Sequence, residues 1–350
     1  MTSYRIPETA AWWSSDGNDN NIIISSRARL SRNLPDIPFP HHASSEQRLQ
    51  VADRTASAIE SIDAVSRHCT KLSIDDVNPL SRRILVERGL LRTGITHDNV
   101  VLYVEQNEQH AITVNGEDHV RFSAVANGRD LDAVYRRVNG IERELEHTLD
   151  FSFDTDHGYH TAAVADLGTG LRLSFMVHIP LLIWESKEKL ERILTGIVRK
   201  GGIIRGLRGE KSRSIGDMIQ IASQATLGVS EDDVISMMDA FAQTLVTAEE
   251  RMRERVYKRD RTLLEDKIYR SLAMLAAARS ITYIETVAFL SWLRVGVSLE
   301  LFPIPLSVLT KAFFTAQKGH ICYGGDIEKK NVRDVKRADM LRAVFRPYAV

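Results

Sequence analysis

The feature that most constrains the fold is an alternating run at 99–126, NVVLYVEQNEQHAITVNGEDHVRFSAVA. Apolar and polar residues alternate with the period of two that half-buried strands show, and turn residues such as Asn and Gly interrupt the alternation. Strands that follow one another through short turns pair in antiparallel fashion. An antiparallel sheet is therefore predicted for the first part of the chain.

Helices and further strands are predicted around this run. The segment 21–24 (NIII) predicts a short strand, and the segment 167–180 (LGTGLRLSFMVHIP) predicts a glycine-containing turn that leads into another strand. Helical spacing of apolar residues predicts four helices, the last with Ser186 at its N-cap. The four helical segments are 44–65, 79–91, 129–149 and 186–202.

The strand signal is predicted to end near residue 212, after a charged loop at 203–214 (IIRGLRGEKSRS). Beyond it the spacing is helical, and two helices begin with capping-box patterns, Ser230 with Asp233 and Thr282 with Glu285. We predict an α+β fold, in which an antiparallel sheet flanked by helices precedes an all-helical C-terminal domain. The predicted divisions are a loose N-terminal arm at 1–20, a sheet-containing domain at 21–255 and a helical domain at 256–350.

Charge and cysteine content exclude several classes of protein. The chain has 46 Lys+Arg and 46 Asp+Glu, so its formal net charge is zero, whereas general nucleic-acid and membrane-surface binders carry a basic excess. Cys69 and Cys322 are far apart and form no disulfide framework or metal motif, which favours the cytoplasm. No signal-peptide core and no run of 18 apolar residues occurs, so neither a leader nor a membrane span is expected.

Arginines recur next to predicted strands and glycine turns. Arg27 and Arg29 follow the strand at 21–24 directly, with no acid among them, and Arg121, Arg172 and Arg205 occupy similar positions later. A solvated surface pair is the commoner explanation of any one such pair, but five arginines could converge on a triphosphate. No Walker A, G-x-G-x-x-G or protein-kinase catalytic-loop pattern is present, so an ATP enzyme of this kind would hold the phosphates with side chains.

Four segments in order resemble the phosphagen (guanidino) kinase family: SSRARLSRNLPDIPFP, NGEDHVR, LGTGLRLSFMVHIP and IIRGLRGE followed by IASQATLG. The residues of these segments are most similar to those of the bacterial protein-arginine kinase branch. The animal enzymes' separate N-terminal helical domain has no counterpart in the sequence, and a helical C-terminal extension contains RDVKRA, which resembles the R-D-x-x-R-A phosphoarginine-binding motif of that branch. The resemblance covers nearly the whole chain and implies that 21–255 is the catalytic domain.

The resemblance also implies roles for individual residues. Arg27, Arg29, Arg121, Arg172 and Arg205 would clamp the phosphates of ATP, and Arg205 would also act in catalysis. Glu117 would orient the acceptor guanidinium, Glu210 would accept its proton, and His178 would lie against the adenine. Mg²⁺ would be held mainly through the nucleotide, with no protein metal ligand. The other residues implied to border the nucleotide are Ser25, Ser26, Ala28, Leu173, Ser174, Phe175, Met176, Gly206, Leu207, Arg208 and Gly209. Arg32 is predicted to form a structural ion pair instead.

Three positions depart from the family pattern. Ala163 stands where the family has its active-site cysteine, and its neighbour Asp166 restores a carboxylate nearby. Gly116 stands where a first Glu is frequent, and Gly89 stands where a nucleotide-proximal His is common. The loss of the thiolate is expected to lower the rate or to change how the substrate is handled.

The motif RDVKRA places Arg333 and Arg337 one turn apart on a predicted helix. By local chemistry alone an ordinary ion-paired helix face, with Asp334 bonded to Arg337, is the preferred interpretation. The resemblance instead implies a phosphoarginine pocket in which Arg333 and Arg337 contact phosphate and Asp334 contacts the guanidinium, next to Ala338.

The function implied is ATP-dependent phosphorylation of arginine side chains in proteins, which marks them for regulated degradation under stress. An activating adaptor protein, an unfoldase–protease, protein substrates with exposed arginine and a homodimer or higher homo-oligomer are the partners implied. Two alternatives remain open. One is a small-molecule arginine kinase, and the other is a non-catalytic phosphoarginine-binding pseudokinase.

Overall fold

The computed structural model describes residues 12–14, 17–206, 215–224, 227–323, 325 and 329–349. The strands in these ranges are β1 (Ile23–Arg32), β2 (Cys69–Ser73), β3 (Val101–Glu105), β4 (His110–Val114), β5 (Val120–Asn127), β6 (Phe153–Asp154), β7 (Gly158–Tyr159), β8 (Leu171–His178), β9 (Gly202–Gly206) and β10 (Met218–Ser223). Eight of them form one sheet in the order β2-β3-β4-β5-β1-β8-β10-β9, and each neighbouring pair is antiparallel. β6 and β7 form a separate ribbon. The predicted antiparallel sheet is thereby confirmed.

Helices pack around this sheet and make up most of the C-terminal part of the described chain. They are α1 (Ser45–Ser61), α2 (Asp63–His68), α3 (Pro79–Glu87), α4 (Leu131–Glu146), α5 (Pro180–Glu185), α6 (Lys187–Arg199), α7 (Glu231–Arg259), α8 (Arg261–Ala277), α9 (Tyr283–Ser298), α10 (Leu306–Thr315), α11 (Lys318–Cys322) and α12 (Lys330–Phe345). Both predicted capping boxes, at the starts of α7 and α9, are present. Ser186 occupies the N-cap of α6 as predicted, but its side chain makes no capping hydrogen bond.

Five strands lie where the sequence predicted none: β2, the two-residue β6 and β7, and β9 and β10. The start of the predicted loop at 203–214 belongs to β9, and β10 lies beyond the point at which strands were expected to end. The segment MIQIAS of β10 is buried at five of its six positions, between β8 and β9. A strand covered on both faces carries a nearly continuous apolar run, so the alternation used to recognise strands is missing there.

The first described residues are packed, although a loose arm was predicted at 1–20. Trp12 and Trp13 are both buried in a single 3-10 turn, and the ring of Trp13 stacks on Phe314 of α10 with centroids 4.9 Å apart. The described part of the predicted arm is therefore fixed against the C-terminal helices.

The C-terminal helices pack directly on the sheet. Ser291 of α9 hydrogen-bonds to His178 Nε2 of β8 at 2.8 Å, and the carboxylate of Glu87 at the end of α3 accepts the backbone N–H of Gly319 in α11 at 2.9 Å. Helix α7 runs without a break through the predicted division at residue 255, and the chain bends at Asp260 before α8. The helical C-terminal region thus lies beside one end of the sheet, where the candidate site is found.

Candidate active site

The register of the sheet brings the predicted arginines onto one face. Arg27 and Arg29 lie inside β1, two positions apart, although the sequence had predicted a strand that ends before them. Arg29 lies opposite Arg172 of β8, and Ser31 lies opposite Arg121 of β5. Because side chains alternate along a strand, all four guanidinium groups extend from the same face.

Arg205 joins this face from the edge of the sheet. It lies opposite Gln220 of β10, which in turn lies opposite Met176 of β8. Four of these arginines, all except Arg27, meet in a cavity of about 320 Å³, which two carboxylates also line. The residues that line this cavity, which we call the acidic-end cavity, are Arg29, Arg92, Glu117, Arg121, Asp166, Arg172 and Arg205.

The arginines of the site destabilise one another's charged forms. Burial lowers the pKa of Arg29 well below its usual value, and the positive charges of Arg27, Arg121, Arg92 and Arg172 lower this pKa further. Burial also lowers the pKa of Arg27. Among the residues that the structure describes, neither Arg27 nor Arg29 has an ion-pair partner. Two neighbouring half-buried cations without an ion-pair partner are stabilised when a polyanion binds between them.

Two carboxylates, Glu117 and Asp118, belong to the turn between β4 and β5. Glu117 accepts a hydrogen bond from Arg121 Nη2 at 2.7 Å. The neighbouring Asp118 is fully buried and accepts bonds from Arg121 Nη2 at 3.1 Å, Asn33 Nδ2 at 3.0 Å and the backbone N–H of Ala162 at 2.7 Å. Asp118 therefore holds Arg121 and the 162 segment in place, while the half-buried Glu117 remains at the cavity wall.

Two further charged residues contribute to the cavity. Asp166 forms an ion pair with Arg172, with Oδ1 and Nε 2.9 Å apart, and it lines the cavity together with Glu117, whereas the predicted second carboxylate, Glu210, lies outside the described residues. Arg92, in the loop after α3, bonds to Glu117 and was not predicted. Neither Arg92 nor the buried Asp118 could be recognised from periodicity, because both lie in loops, where only their position in space distinguishes them from solvated surface charges.

A second cavity of about 420 Å³ continues from the first, since Arg29 and Arg92 line both. We call it the aromatic-end cavity, because Tyr283, Phe313 and Phe314 of the C-terminal helices form part of its wall. The sheet contributes polar and cationic groups to the opposite wall. These are Ser25, Arg27, Arg29, Ser174 and Gln220, and the apolar Met176 and Phe175 line the cavity beside them.

Gly89 is required by the position of Arg27. Its φ is +75°, a conformation that costs little only for glycine, and a Cβ built there would lie 2.3 Å from Arg27 Nη2. At position 89, where the family often has a histidine, this chain has a glycine, which leaves space for the guanidinium group of Arg27.

Several predicted residues are not in the cleft. His178 is fully buried beneath Ser291 and Arg253, and burial followed by the charges of Arg253 and Arg294 lowers its pKa well below its usual value. An adenine could not reach it in this arrangement, so the prediction that His178 contacts adenine is not supported by its position. The C-terminal helix α9, which sequence reasoning had not placed on the sheet, covers it.

The alternation of the strands explains other differences. Ser26, Ala28 and Leu173 are buried on the opposite face, where the hydroxyl of Ser26 donates to Gly128 O and accepts from the N–H of Asp130 at the start of α4. Gly206, the last residue of β9, is buried and lines neither cavity. The predicted residues Leu207, Arg208, Gly209 and Glu210 lie outside the described residues.

The predicted ion pair of Arg32 is confirmed. Its Nε lies 2.6 Å from Glu142 Oε1, and both side chains are only 3% exposed. Glu142 belongs to α4, so this pair ties the helix to the strand that carries the cleft arginines.

The C-terminal motif lies on α12. Arg337 is buried and donates to Asp334 Oδ1 at 2.5 Å, to Ala316 O at 2.7 Å and to Ile281 O at 2.9 Å. The ion pair expected from local chemistry is therefore formed. Ala338 is buried beside it, and Arg333 is half-buried.

Comparisons with known proteins agree with this geometry. Residues 50–252 match the family "ATP:guanido phosphotransferase, C-terminal catalytic domain", and residues 261–349 match the "Protein-arginine kinase McsB C-terminal domain". The chain is 32% identical over 336 residues to the protein-arginine kinase of Halalkalibacterium halodurans, covering 95% of this chain and 94% of that protein. It is 34% identical over 339 residues to that of Symbiobacterium thermophilum, covering 95% of each.

Solved structures show the same fold. The duplicated taurocyamine kinase of Schistosoma mansoni with bound transition-state-analog components superposes with a TM-score of 0.61 at 21% identity, covering 81% of this chain and 42% of that one. A lombricine kinase superposes with a TM-score of 0.59 at 22% identity, covering 71% and 72%.

The cleft of arginines and carboxylates on an antiparallel sheet is thus that of a phosphotransferase. The chain belongs to the ATP:guanido phosphotransferase family, and within it to the protein-arginine kinases. The family and fold expected from the resemblance are confirmed. No helix in the described part of the chain has the length and apolar character needed to cross a membrane.

Proposed function

We propose that the protein transfers the γ-phosphoryl group of ATP to arginine side chains of other proteins. The observation that carries this proposal is the row of half-buried and buried arginines that ends at Glu117. A row of guanidinium groups suits a triphosphate, and a carboxylate at its end suits an arginine acceptor. The relatives named protein-arginine kinase support a protein as the acceptor.

The arginines would act by holding the phosphates and by stabilising charge during transfer. Arg27 lines the aromatic-end cavity and Arg29 lines both cavities, so they are placed to hold the middle of a nucleotide, while Arg121, Arg172 and Arg205 line the acidic-end cavity. Phosphoryl transfer depends mainly on positioning and electrostatics, which such a row supplies. Among the described residues no cluster of three or more His, Cys, Asp or Glu suits a metal, and we propose that the phosphates of ATP hold Mg²⁺.

Glu117 would prepare the acceptor. A guanidinium group is protonated and is a poor nucleophile, so it has to be fixed in plane and lose a proton as its nitrogen bonds to the γ-phosphorus. The bond from that phosphorus to the ADP oxygen breaks, and the proton passes to a carboxylate. We assign orientation to Glu117 and, by resemblance to the family, proton acceptance to Glu210.

Asp166 partly replaces the missing thiolate. The residue at the cysteine position is Ala163, whose carbonyl accepts a hydrogen bond from Thr161 Oγ1 at 2.8 Å. Asp166 brings a negative charge into the same cavity as Glu117, although its ion pair with Arg172 neutralises part of that charge. We therefore expect an active enzyme and not a pseudokinase.

The test is the substitution Glu117→Gln, which keeps the shape and removes the charge. We expect a loss of at least about a hundredfold in transfer to a loosely folded protein, because one of the two groups that hold the acceptor is lost. Glu144→Gln, on an exposed position of α4, is the matched control and should retain the wild-type rate. Full activity in Glu117→Gln would exclude the acceptor role, and ADP binding by both variants would show that they are folded.

We further propose that α12 binds phosphoarginine, as the family resemblance and the match at 261–349 suggest. Arg337 already holds two carbonyl groups and Asp334, so contact with phosphate would fall first to the half-buried Arg333. Binding of a phosphoarginine peptide should then weaken in Arg333→Ala more than in Lys330→Ala, at an exposed position one turn earlier. Equal binding by both variants would refute this assignment.

The remaining partners follow from the family resemblance. We propose an activating adaptor, delivery of marked proteins to an unfoldase–protease during stress, a homodimer or higher homo-oligomer, and a cytoplasmic location. Light scattering of the purified chain tests the oligomer: a monomer at micromolar concentration would contradict it.

A further inference from the structure

The aromatic-end cavity has a wall to which no function has been assigned. Tyr283 at the start of α9, Phe313 and Phe314 of α10, and Gln317 just beyond α10 face the arginine-bearing strands across this cavity. All four belong to the C-terminal helical region, so the cleft is completed by residues outside the sheet-bearing part of the chain.

This wall is held firmly in place. The ring of Phe314 stacks on Trp13 at 4.9 Å and meets Trp12 edge-on at 5.3 Å. On the other side, Glu87 accepts the N–H of Gly319 and bonds to His320 Nδ1 at 3.1 Å. The wall is therefore part of the resting structure and requires no movement to form.

The fit with α3 is also close. A Cβ at Gly319 would lie 2.7 Å from Glu87 Oε2, so the two segments could not approach in this way with a larger residue. Arg88, next to Glu87, forms a buried ion pair with Glu108 and lies over the ring of Trp13, with Cζ 4.6 Å from the centroid. The loop that begins at Arg88 and carries Gly89 and Arg92 is thereby joined to the C-terminal wall.

The chemistry of the cavity changes along its length. Along β1 the cleft-facing residues change from Arg29 and Arg27 to Ser25, and their partners on β8 change from Arg172 to Ser174 and Met176. Aromatic rings and the amides of Gln220 and Gln317 also line the cavity. A ligand that matches this order is anionic at one end and flat, apolar and capable of hydrogen bonding at the other, which describes a nucleotide with its base. His178, which the resemblance placed against the base, is sealed beneath Ser291. A base therefore has to be recognised by other residues.

We propose that the C-terminal helical region forms the base-binding wall of the nucleotide site, with Tyr283 and Phe313 packing against the base. This proposal rests on the proposed function, because it takes the arginines to hold the phosphates. It gives the C-terminal region a direct part in selecting the nucleotide.

The experiment compares two ligands, ADP and inorganic pyrophosphate, by calorimetry with the full chain. Pyrophosphate contacts only the arginines, whereas ADP also reaches the wall. In Tyr283→Ala we expect the affinity for ADP to fall about tenfold or more, as base–aromatic stacking implies, with the affinity for pyrophosphate unchanged. Tyr283→Phe keeps the ring and should restore ADP binding.

Tyr269→Ala serves as the matched control, because Tyr269 of α8 is 47% exposed and does not line the cavity. Its affinity for both ligands should equal that of the wild type. An unchanged affinity of Tyr283→Ala for ADP would overturn the inference while leaving the arginine clamp intact. Failure of the wild type to bind either ligand would instead overturn the proposed function. Equal losses for both ligands in Tyr283→Ala would also overturn the inference, since they would show damage to the phosphate end.

Discussion

The contact between Gly89 and Arg27 permits a sharp test of the cleft. In Gly89→Ala the new methyl carbon would lie 2.3 Å from Arg27 Nη2, so the guanidinium has to retreat by roughly 1 Å to reach an ordinary contact distance. A misplacement of about 1 Å at a reacting site can cost about a hundredfold. The left-handed φ of +75° adds roughly 1–2 kcal/mol of strain for alanine.

Gly94→Ala separates these two effects. Gly94 also has a left-handed φ, +85°, but a Cβ there would meet nothing within 4 Å. Both variants should lose roughly 1–2 kcal/mol in the free energy of urea unfolding. Only Gly89→Ala should raise the KM for ATP, by about ten- to a hundredfold, in a steady-state transfer assay. Identical ATP kinetics in the two variants would refute the placement of Arg27 against the nucleotide.

Three further predictions concern charged groups. Arg92→Ala should lower the KM for a protein acceptor, because Arg92 bonds to the carboxylate that we assign to the acceptor guanidinium; a higher KM would show that Arg92 helps to bind substrate. Glu142→Gln should lower the free energy of unfolding by about 3–5 kcal/mol, since it leaves Arg32 buried without its partner, and a loss below about 1 kcal/mol in urea titrations would contradict this. Burial lowers the pKa of His110 to about 4. As the pH falls, His110 is therefore protonated in the unfolded chain at its usual pKa, while it is still neutral in the folded chain. The contribution of His110 to the free energy of unfolding should therefore be fully present above about pH 6.5, and up to about 3 kcal/mol of it should be lost as the pH falls towards 4. The loss over this pH range should be smaller in His110→Leu than in the wild type. Equal losses in the two proteins would exclude His110 as the cause.

Much of the fold could be predicted because strong local patterns agree with the tertiary structure. The antiparallel strands predicted at 99–126 are β3, β4 and β5, and the predicted capping boxes of α7 and α9 are present. The strand β10 could not be predicted from alternation, because both of its faces are covered. The packing of Trp12 and Trp13 depends on Phe314, a contact between distant parts of the chain that no local pattern encodes.

The site divides in the same way. The period of two predicted that Arg27 and Arg29 share a face, and the register of β1 with β8 and β5 brought Arg172 and Arg121 beside them. Arg92 and the aromatic wall could not be found, because they enter the cleft through loop position and helix packing. The prediction that His178 contacts adenine also failed because of helix packing. The alternation of β8 places His178 on the cleft face, but α9 covers that end of the strand.

Phosphoryl transfer from Mg-ATP should be measured with a loosely folded protein in one sample and free arginine in another. Phosphoarginine would be located by mass spectrometry at neutral pH, because the P–N bond is labile in acid. We expect phosphoryl groups on protein arginine residues. Label only on free arginine would contradict the protein acceptor, and the absence of label in either sample, from a chain that binds ADP, would contradict catalysis itself.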